Sequence, residues 1–310
     1  MKRTVLITGR IGSGKSEVCR HLSSKGYPVY DSDSRCKALY DNVPGLKLRI
    51  EEALGVPFSE LGVIFRDREA REKLESIVYP LLIDDFNEWR RGLESHLCFL
   101  ESALALDKPI FDGLYDEVWE VRAPLEVRAV RNPKAAERDA AQSDSDGRAD
   151  IVIENDSTIE QLHKKIDIIM KTDLARILAV SGQHGLYQYL AQSRNGAIAE
   201  RLEDKRRTVF DTKSRITTLE DIAIFTSEGE LKLAEVFTAL SKVLDGKEAP
   251  SSKASSDELK ALFTKAVPNY DGDRFYVSHM KKVVDWYNEL LKYATLDFMT
   301  DEDRKAAADE

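Results

Sequence analysis

The first 169 residues alternate between short apolar runs and longer amphipathic stretches. The apolar runs have the length of buried strands and lie at residues 4–8, 27–31, 97–104, 117–123 and 150–155. Helical spacing of apolar positions predicts helices over residues 15–24, 33–40, 45–54, 67–92, 133–142 and 157–170. In the last of these, Ser157 and Glu160 have the spacing of a capping box. Strands that alternate with helices predict an α/β fold, in which helices cover both faces of a parallel sheet.

The second half of the chain shows a different pattern. Short β-branched runs broken by glycines and charged turns predict a small β-rich domain over residues 170–244, built as an antiparallel barrel or curled sheet. Helical spacing follows at residues 231–244, 257–266 and 278–294. We expect a polar linker at 245–257, a helical segment of the second domain at 258–295 and a disordered tail at 296–310. The sequence therefore predicts two domains, which divide near residue 169.

Composition and charge exclude several classes of protein. With 42% hydrophobic and 33% charged residues, the chain has the profile of a globular protein. Its net charge of −9 argues against general binding to nucleic acid or to an anionic membrane surface. Cys19, Cys36 and Cys98 show no CxxC spacing, so we expect reduced thiols and no zinc site. Since no apolar run approaches the roughly 18 residues of a membrane span, we expect a cytoplasmic protein.

A glycine-rich loop follows the first strand-like run. Residues 9–16, GRIGSGKS, fit the pattern GxxxxGK[ST] between a strand and a helix, which predicts a phosphate-binding loop. Its main-chain N–H groups and the start of the helix would hold the phosphates of ATP. Lys15 is predicted to reach the β- and γ-phosphates, and the Ser16 hydroxyl to ligate Mg²⁺. The candidate ATP-binding residues are Gly9, Ile11, Gly12, Ser13, Gly14, Lys15, Ser16 and Glu17. The alternative, a glycine-rich turn with an incidental lysine, is disfavoured by the complete match.

Carboxylates follow two further strands. Asp31 and Asp33 end the second apolar run, where either would orient an acceptor hydroxyl, take its proton or hold the metal through water. The alternative is that one of them caps the helix that begins near Asp33. Glu101 interrupts the third apolar run, and a buried carboxylate is costly unless it is paired or near a metal. Glu101 is therefore a candidate for the acceptor or metal site, or else it lies at the exposed tip of its strand.

Basic residues cluster after the fourth strand. They are Arg128, Arg131, Lys134, Arg138 and Arg148. Guanidinium groups match phosphate geometry, and mobile arginines neutralise the transferring phosphoryl group in P-loop kinases. Each arginine alone is more typical of a solvated helix face. As a group they predict at least one contact with ATP.

Together these segments resemble the dephospho-CoA kinase family. The similar stretches are TGRIGSGKS, GYPVYDSDS, LESIVYPLL, FDGLYDEVWEVRAPLEVRAVR and ADIVIENDSTIEQL, in the family's order. The resemblance implies a P-loop kinase-type fold and ATP-dependent phosphorylation of the ribose 3′-hydroxyl of dephospho-CoA. It also implies that Asp33 activates the acceptor, that Thr8 lies beneath the loop, and that Arg128 or Arg131 belongs to a lid. The predicted catalytic residues are Asp33, Lys15, Arg128 and Arg131, and the predicted substrate-binding residues are Thr8, Asp31, Asp33, Tyr79 and Glu101.

Some positions depart from the family's pattern. Arg10 replaces a usual glycine, Glu17 a usual threonine, and Tyr79 a typical histidine; residues 103–105 read Ala-Leu-Ala where the family has Pro-Leu-Leu. Two alternatives therefore stay open: a kinase of another small metabolite, and a nucleotide-binding regulator without turnover. Residues 170–310 resemble small bacterial proteins without an assigned function and show no catalytic spacing. We predict an interaction or regulatory module there, whose partner the sequence does not identify.

Overall fold

The computed structural model describes residues 2–139 and 147–308, without the side chains of residues 63–66, 138 and 139. The chain forms two compact units, Met1–Lys164 and Lys165–Glu310. The boundary between the units therefore falls after residue 164, five residues before the predicted one near residue 169. A helix that ends at residue 169 crosses this boundary. Among the described residues, no helix combines the length and apolarity needed to cross a membrane.

The first unit alternates strands and helices. Its elements are β1 (Arg3–Thr8), α1 (Lys15–Ser24), β2 (Val29–Asp31), α2 (Ser32–Asn42), α3 (Leu46–Leu54), α4 (Arg68–Gly92), β3 (Leu97–Glu101), β4 (Glu117–Arg122), α5 (Leu125–Arg131), α6 (Ala135–Asp139), β5 (Ile151–Glu154) and α7 (Ile159–Ile169). Short 3-10 turns occur at Phe58–Arg66, Ala105–Asp107 and Pro109–Phe111. The unit therefore has the α/β fold that the hydrophobic pattern predicts.

The five strands form one parallel sheet in the order β2-β3-β1-β4-β5. In its register, Ile7 and Asp31 are both partners of Glu101, and Thr8 is the partner of Glu120. Because all strands run the same way, their carboxyl ends meet at one edge of the sheet, where ligands bind in such folds. The loops after β1, β2 and β3 consequently lie side by side.

Apolar residues fill the sheet and its covering helices. Val5, Leu6 and Ile7 of β1 are at most 1% exposed, as expected for a central strand that is covered on both faces. The long helix α4 buries Leu74, Val78, Leu82 and Phe86, which are spaced four residues apart on one face. These side chains pack with Tyr30, Leu100 and Phe111 in one core. The core thus anchors the strands whose ends carry the candidate site.

Two local predictions for the first unit need correction. The helix predicted over 133–142 is represented by the short α6, residues 140–142 lie outside the described part of the chain, and α5, which precedes it, was not predicted. The cap of α7 is one residue later than predicted, since Gln161 N donates to Thr158 Oγ1 at 3.3 Å and Thr158 N donates to Gln161 Oε1 at 3.4 Å. Thr158 and Gln161 satisfy the same pattern as the predicted pair.

The second unit combines an antiparallel sheet with helices. Its elements are β6 (Ile177–Val180), β7 (Leu186–Ser193), β8 (Gly196–Arg201), β9 (Arg207–Asp211), β10 (Ile216–Thr218), β11 (Ala223–Thr226), β12 (Gly229–Lys232), α8 (Leu233–Leu244), α9 (Ser256–Ala266), α10 (Val277–Tyr293) and α11 (Asp301–Ala308). The order β10-β6-β7-β8-β9 forms the sheet, and β11 and β12 form a separate ribbon. The predicted β-rich segment followed by helices is therefore present.

The loop between α8 and α9 is fixed to α10. The Asn288 side chain accepts a hydrogen bond from Ala249 N at 2.7 Å and donates one to Ala249 O at 3.0 Å. The Tyr287 hydroxyl donates to Lys247 O at 3.1 Å. The predicted polar linker is thus a packed loop, and its last residues belong to α9, for which Ser255 is the N-cap.

The predicted disorder of the tail is wrong for residues 301–308, which form α11. Arg304 contacts Asp173 at 2.9 Å, Asp301 at 2.8 Å, and also Glu220. Three carboxylates around one guanidinium explain the order of a segment whose own composition is polar.

Candidate active site

The glycine-rich loop connects β1 to α1 in a conformation that requires glycine. Gly9, Gly12 and Gly14 have φ values of 141°, 78° and 106°, in the left-handed region. A Cβ atom on Gly9 would lie 2.3 Å from Val121 O, and one on Gly14 would lie 2.2 Å from Asn155 Nδ2. Gly14 is the N-cap of α1 and has no side chain to bond the first-turn N–H groups. That helix end is therefore suited to bind an anion.

Lys15 lies across the loop that precedes it. Its Nζ donates to Gly9 O at 2.7 Å and to Arg10 O at 3.3 Å. Burial lowers the pKa of Lys15 from its usual range, while the charges of Glu101 and Asp33 oppose that shift. One ammonium group thus lies within the field of two carboxylates from neighbouring strand ends.

Glu101 joins the end of β3 to the start of α1. Ser16 Oγ donates to Glu101 Oε1 at 2.7 Å, and the Cys19 thiol lies within the field of the same carboxylate. Burial first, and then Glu101, raises the pKa of Cys19, which keeps the thiol protonated. Glu101 is half-buried, so neither the fully buried nor the fully exposed alternative describes it.

The site fits Mg²⁺ held largely by the nucleotide. Within residues 2–139 and 147–308, no group of three or more His, Cys, Asp or Glu side chains is arranged to hold a metal. Ser16 instead offers a hydroxyl beside the Glu101 carboxylate. Oxygen ligands suit Mg²⁺, which usually keeps several waters and binds through substrate phosphates and one or two protein groups. Ser16 would supply such a ligand.

The two aspartates after β2 differ in their surroundings. Asp31 is the N-cap of α2 and accepts hydrogen bonds from Asp33 N at 3.0 Å and Ser34 N at 3.2 Å. The capping alternative therefore holds for Asp31. Asp33 lies in the first turn of α2 with an exposed side chain, and its charge acts on Lys15. Of the pair, Asp33 is the more exposed carboxylate.

Arg128 and Arg131, at the end of α5, reach the glycine-rich loop. Arg128 is buried and donates from Nε to Ala123 O at 2.9 Å, and a Cβ on Gly12 would lie 2.7 Å from its carbonyl oxygen. Arg131 Nη1 lies 3.4 Å from Ser13 O. By contrast, Arg148 pairs with Asp107 at 2.8 Å. Lys134 is exposed, and the Arg138 side chain lies outside the described part.

The sequence analysis missed Asn155 as a site residue. It follows β5, is 5% exposed, and donates from Nδ2 to Ser13 O at 2.7 Å. Its main-chain carbonyl and side-chain oxygen accept hydrogen bonds from Arg131 at 3.2 and 3.3 Å. The sequence feature that could have identified Asn155 is its position directly after the carboxyl end of a parallel strand, where polar residues often contact ligands.

The remaining predicted residues lie at different depths. Thr8 is buried at the end of β1, and Ile11 lies half-buried within the loop. Glu17, in the first turn of α1, has Oε1 at 2.8 Å from His163 Nε2. Tyr79 lies in the middle of α4, where its ring packs edge-on against Phe111 at 5.0 Å. Burial, and then Glu75, raises the pKa of Tyr79 above its usual value, so its hydroxyl stays protonated.

Part of the chain is similar in sequence to known proteins. A dephospho-CoA kinase from Porphyromonas gingivalis is 39% identical over 151 residues, which are 46% of this chain and 73% of that relative. The chain belongs to the dephospho-CoA kinase family through its amino-terminal part. A dephospho-CoA kinase from Fusobacterium nucleatum is 27% identical over 191 residues, 54% of this chain and 96% of that protein. A crystal structure of a Thermus thermophilus protein is 31% identical, covers 54% of this chain and 96% of its own, and gives a TM-score of 0.48.

The second half of this dephospho-CoA kinase family member matches two family models. Residues 174–219 match a domain of unknown function, DUF5606. Residues 222–290 match another domain of unknown function, DUF6852. The first match covers the antiparallel sheet, and the second covers the ribbon with α8, α9 and most of α10. The predicted resemblance of this half to proteins without an assigned function is confirmed.

Proposed function

We propose that the first unit transfers the γ-phosphoryl group of ATP to the ribose 3′-hydroxyl of dephospho-CoA, releasing coenzyme A and ADP. The observation that supports this most directly is the convergence of Lys15 with Asp33 and Glu101 beside a glycine-rich loop. A cation for the phosphates and carboxylates for an acceptor hydroxyl are the two requirements of phosphoryl transfer to an alcohol. The relatives that share this unit carry the name of that reaction. Because the reaction consumes ATP, we expect it in the cytoplasm.

Each residue contributes through its position. The loop from Gly9 to Gly14 and the first turn of α1 would bind the phosphates, and Lys15 would leave the loop carbonyls to contact them. Arg131, already hydrogen-bonded to the loop, would offset charge on the transferring group. Ser16 would ligate Mg²⁺, which supplies further charge neutralisation when bound. Asp33 would orient the 3′-hydroxyl and accept its proton.

The acceptor-binding roles of Thr8, Asp31, Tyr79 and Glu101 stay predictions of the same proposal. Asp31 supports α2, which presents Asp33, through its cap. Glu101 lies between the metal ligand and the strand edge. Tyr79 is the least direct of the four, because its ring is packed on Phe111. For these residues the change expected on substitution is a higher KM for the acceptor.

An ADP-release assay on the full chain tests the proposal. We expect release that depends on dephospho-CoA, with coenzyme A identified by mass spectrometry. Lys15→Ala should abolish transfer, whereas Lys25→Ala, at the exposed opposite end of α1, serves as the matched control. Selective phosphorylation of another hydroxylated metabolite would identify a different kinase. ATP binding without transfer to any acceptor would identify a regulator.

For residues 170–310 we infer an interaction or regulatory role. This inference rests on the separate compact unit and the absence of catalytic spacing in its sequence. Hydrogen exchange on the full chain, with and without ATP and dephospho-CoA, tests the regulatory alternative. Changed protection within residues 170–310 would support coupling to the kinase site, and unchanged protection would argue for an interaction role alone.

A further inference from the structure

An acidic side chain occupies the first turn of the helix that follows the phosphate-binding loop. Glu17 is the third residue of α1, and its N–H donates to Gly14 O at 3.0 Å. A carboxylate at this position is favourable for the helix itself, because it faces the positive end of the helix dipole. The same positive end is what an anion would use, so an uncompensated carboxylate there repels a triphosphate.

Both oxygen atoms of Glu17 are engaged by donors outside the loop. Oε1 lies 2.8 Å from His163 Nε2 on α7, and Oε2 accepts a hydrogen bond from Arg20, one turn further along α1. The His163 ring is stacked on His21, with centroids 4.0 Å apart and planes 15° apart. The stacking fixes the direction in which His163 meets the carboxylate. The Glu17 side chain is 24% exposed and that of His163 31%, so water screens their contact only in part.

We propose that His163 is a positioning residue for ATP: it holds the Glu17 carboxylate against α7 and, with Arg20, offsets its charge beside the phosphate-binding loop. The inference rests on the nucleotide binding in the proposed function. It gives α7 a role in the kinase site through the contact between His163 and Glu17 of α1. Without His163, only Arg20 holds the Glu17 carboxylate, so its charge beside the phosphate-binding loop is less well offset and the affinity for ATP falls.

A double-mutant cycle on the full chain measures this effect. Calorimetric titration with Mg·ATP should show a Kd about fivefold higher for His163→Ala. This is the size of effect expected when a partly exposed charge loses a partner that offsets it. Glu17→Gln keeps the shape and removes the charge, so it should bind ATP at least as tightly as the unchanged protein. The double variant should return to the affinity of Glu17→Gln. Lys164→Ala is the matched control, because it removes an exposed cation from the next position of α7.

The cycle separates charge compensation from a structural role. If His163 merely joins α7 to α1, the double variant stays as weak as His163→Ala, and the proposal is wrong. An unchanged Kd for His163→Ala would also overturn it. At saturating ATP, the kcat of His163→Ala should equal that of the unchanged protein, since the effect is on ATP binding.

The same measurements keep the two proposals apart. Binding is measured without an acceptor, so a chain that binds ATP but leaves dephospho-CoA unphosphorylated contradicts the proposed function alone. A chain that phosphorylates dephospho-CoA but binds ATP equally well without His163 contradicts this inference alone. A chain that binds no ATP contradicts both.

Discussion

The Ser16 hydroxyl donates a hydrogen bond of 2.7 Å to the Glu101 carboxylate, and this bond ties the start of α1 to the carboxyl end of β3. The same carboxylate helps to raise the pKa of the Cys19 thiol, one turn further along α1. The Ser16 hydrogen bond therefore fixes the direction of Glu101. In the proposed reaction, the ligand of Mg²⁺ and a carboxylate at the acceptor edge are consequently held as one group.

Glu101→Gln should raise the Mg²⁺ concentration needed for half-maximal activity and lower kcat about tenfold, because it removes the charge that helps to hold the metal's ligand and waters. The measurement is the Mg²⁺ dependence of ADP release. Ser16→Ala should have a similar effect, and the double variant should be scarcely worse than either single one, since the two groups act together. A Glu101→Gln protein with an unchanged Mg²⁺ requirement would show that the contact is structural only.

Asp33→Asn should lower kcat by about a hundredfold while the affinity for ATP stays unchanged, because the amide cannot accept the proton of the acceptor. Steady-state kinetics and calorimetric titration with ATP check the two parts. Asp41→Asn, an exposed position of the same helix, is the matched control. Asp31→Asn preserves the cap, since Asn and Asp are about equally good N-caps. An unchanged kcat for Asp33→Asn would remove the role assigned to that carboxylate.

The elements that the sequence predicts well are those whose burial is encoded locally. The start of α1 at Lys15 follows from the glycines before it and the apolar spacing after it, and the structure begins the helix at that residue. The apolar run around Val5 likewise predicts a covered strand. Strand order is different, because the order β2-β3-β1-β4-β5 depends on packing between distant segments. No local pattern specifies it.

The site residues that sequence analysis missed are those that act across the sheet. Asn155 has the local pattern of a turn, and only its place after β5 brings it within 2.7 Å of Ser13 O. His163 lies 146 residues from Glu17 along the chain, so neither residue indicates the other. Contacts between residues far apart in sequence also explain the order of the tail, where Arg304 pairs with Asp173, 131 residues earlier in the chain. Polar composition alone predicted disorder, whereas distant partners order the helix.

Asn155→Ala should loosen the glycine-rich loop and weaken ATP binding. It removes a buried donor from Ser13 O and the side-chain acceptor of Arg131, while the main-chain carbonyl of residue 155 stays; losing the partners of buried groups costs about 1–3 kcal/mol. Hydrogen exchange in residues 9–16 should become faster, and the Kd for ATP should rise. Asp156→Ala, an exposed neighbour, is the control. Unchanged exchange and affinity would show that Asn155 does not support the loop.

The order of α11 should depend on the charge of Asp303. Its carboxylate accepts hydrogen bonds from Lys171 Nζ at 2.8 Å and Thr300 N at 2.8 Å, and these donors, Lys171 first, lower the pKa of Asp303 to about 2. Because the folded pKa lies below the unfolded value of about 3.9, the stabilisation is present above pH 4 and is lost as the pH falls toward 2. Titration of the Asp303 carboxyl carbon by NMR should therefore have its midpoint near pH 2. At pH 7, Asp303→Asn imitates the protonated state and should speed hydrogen exchange in residues 300–308, whereas Glu302→Gln, exposed on the same helix, should not. A midpoint near pH 4, or equal exchange in both variants, would show that this carboxylate does not hold the helix in place.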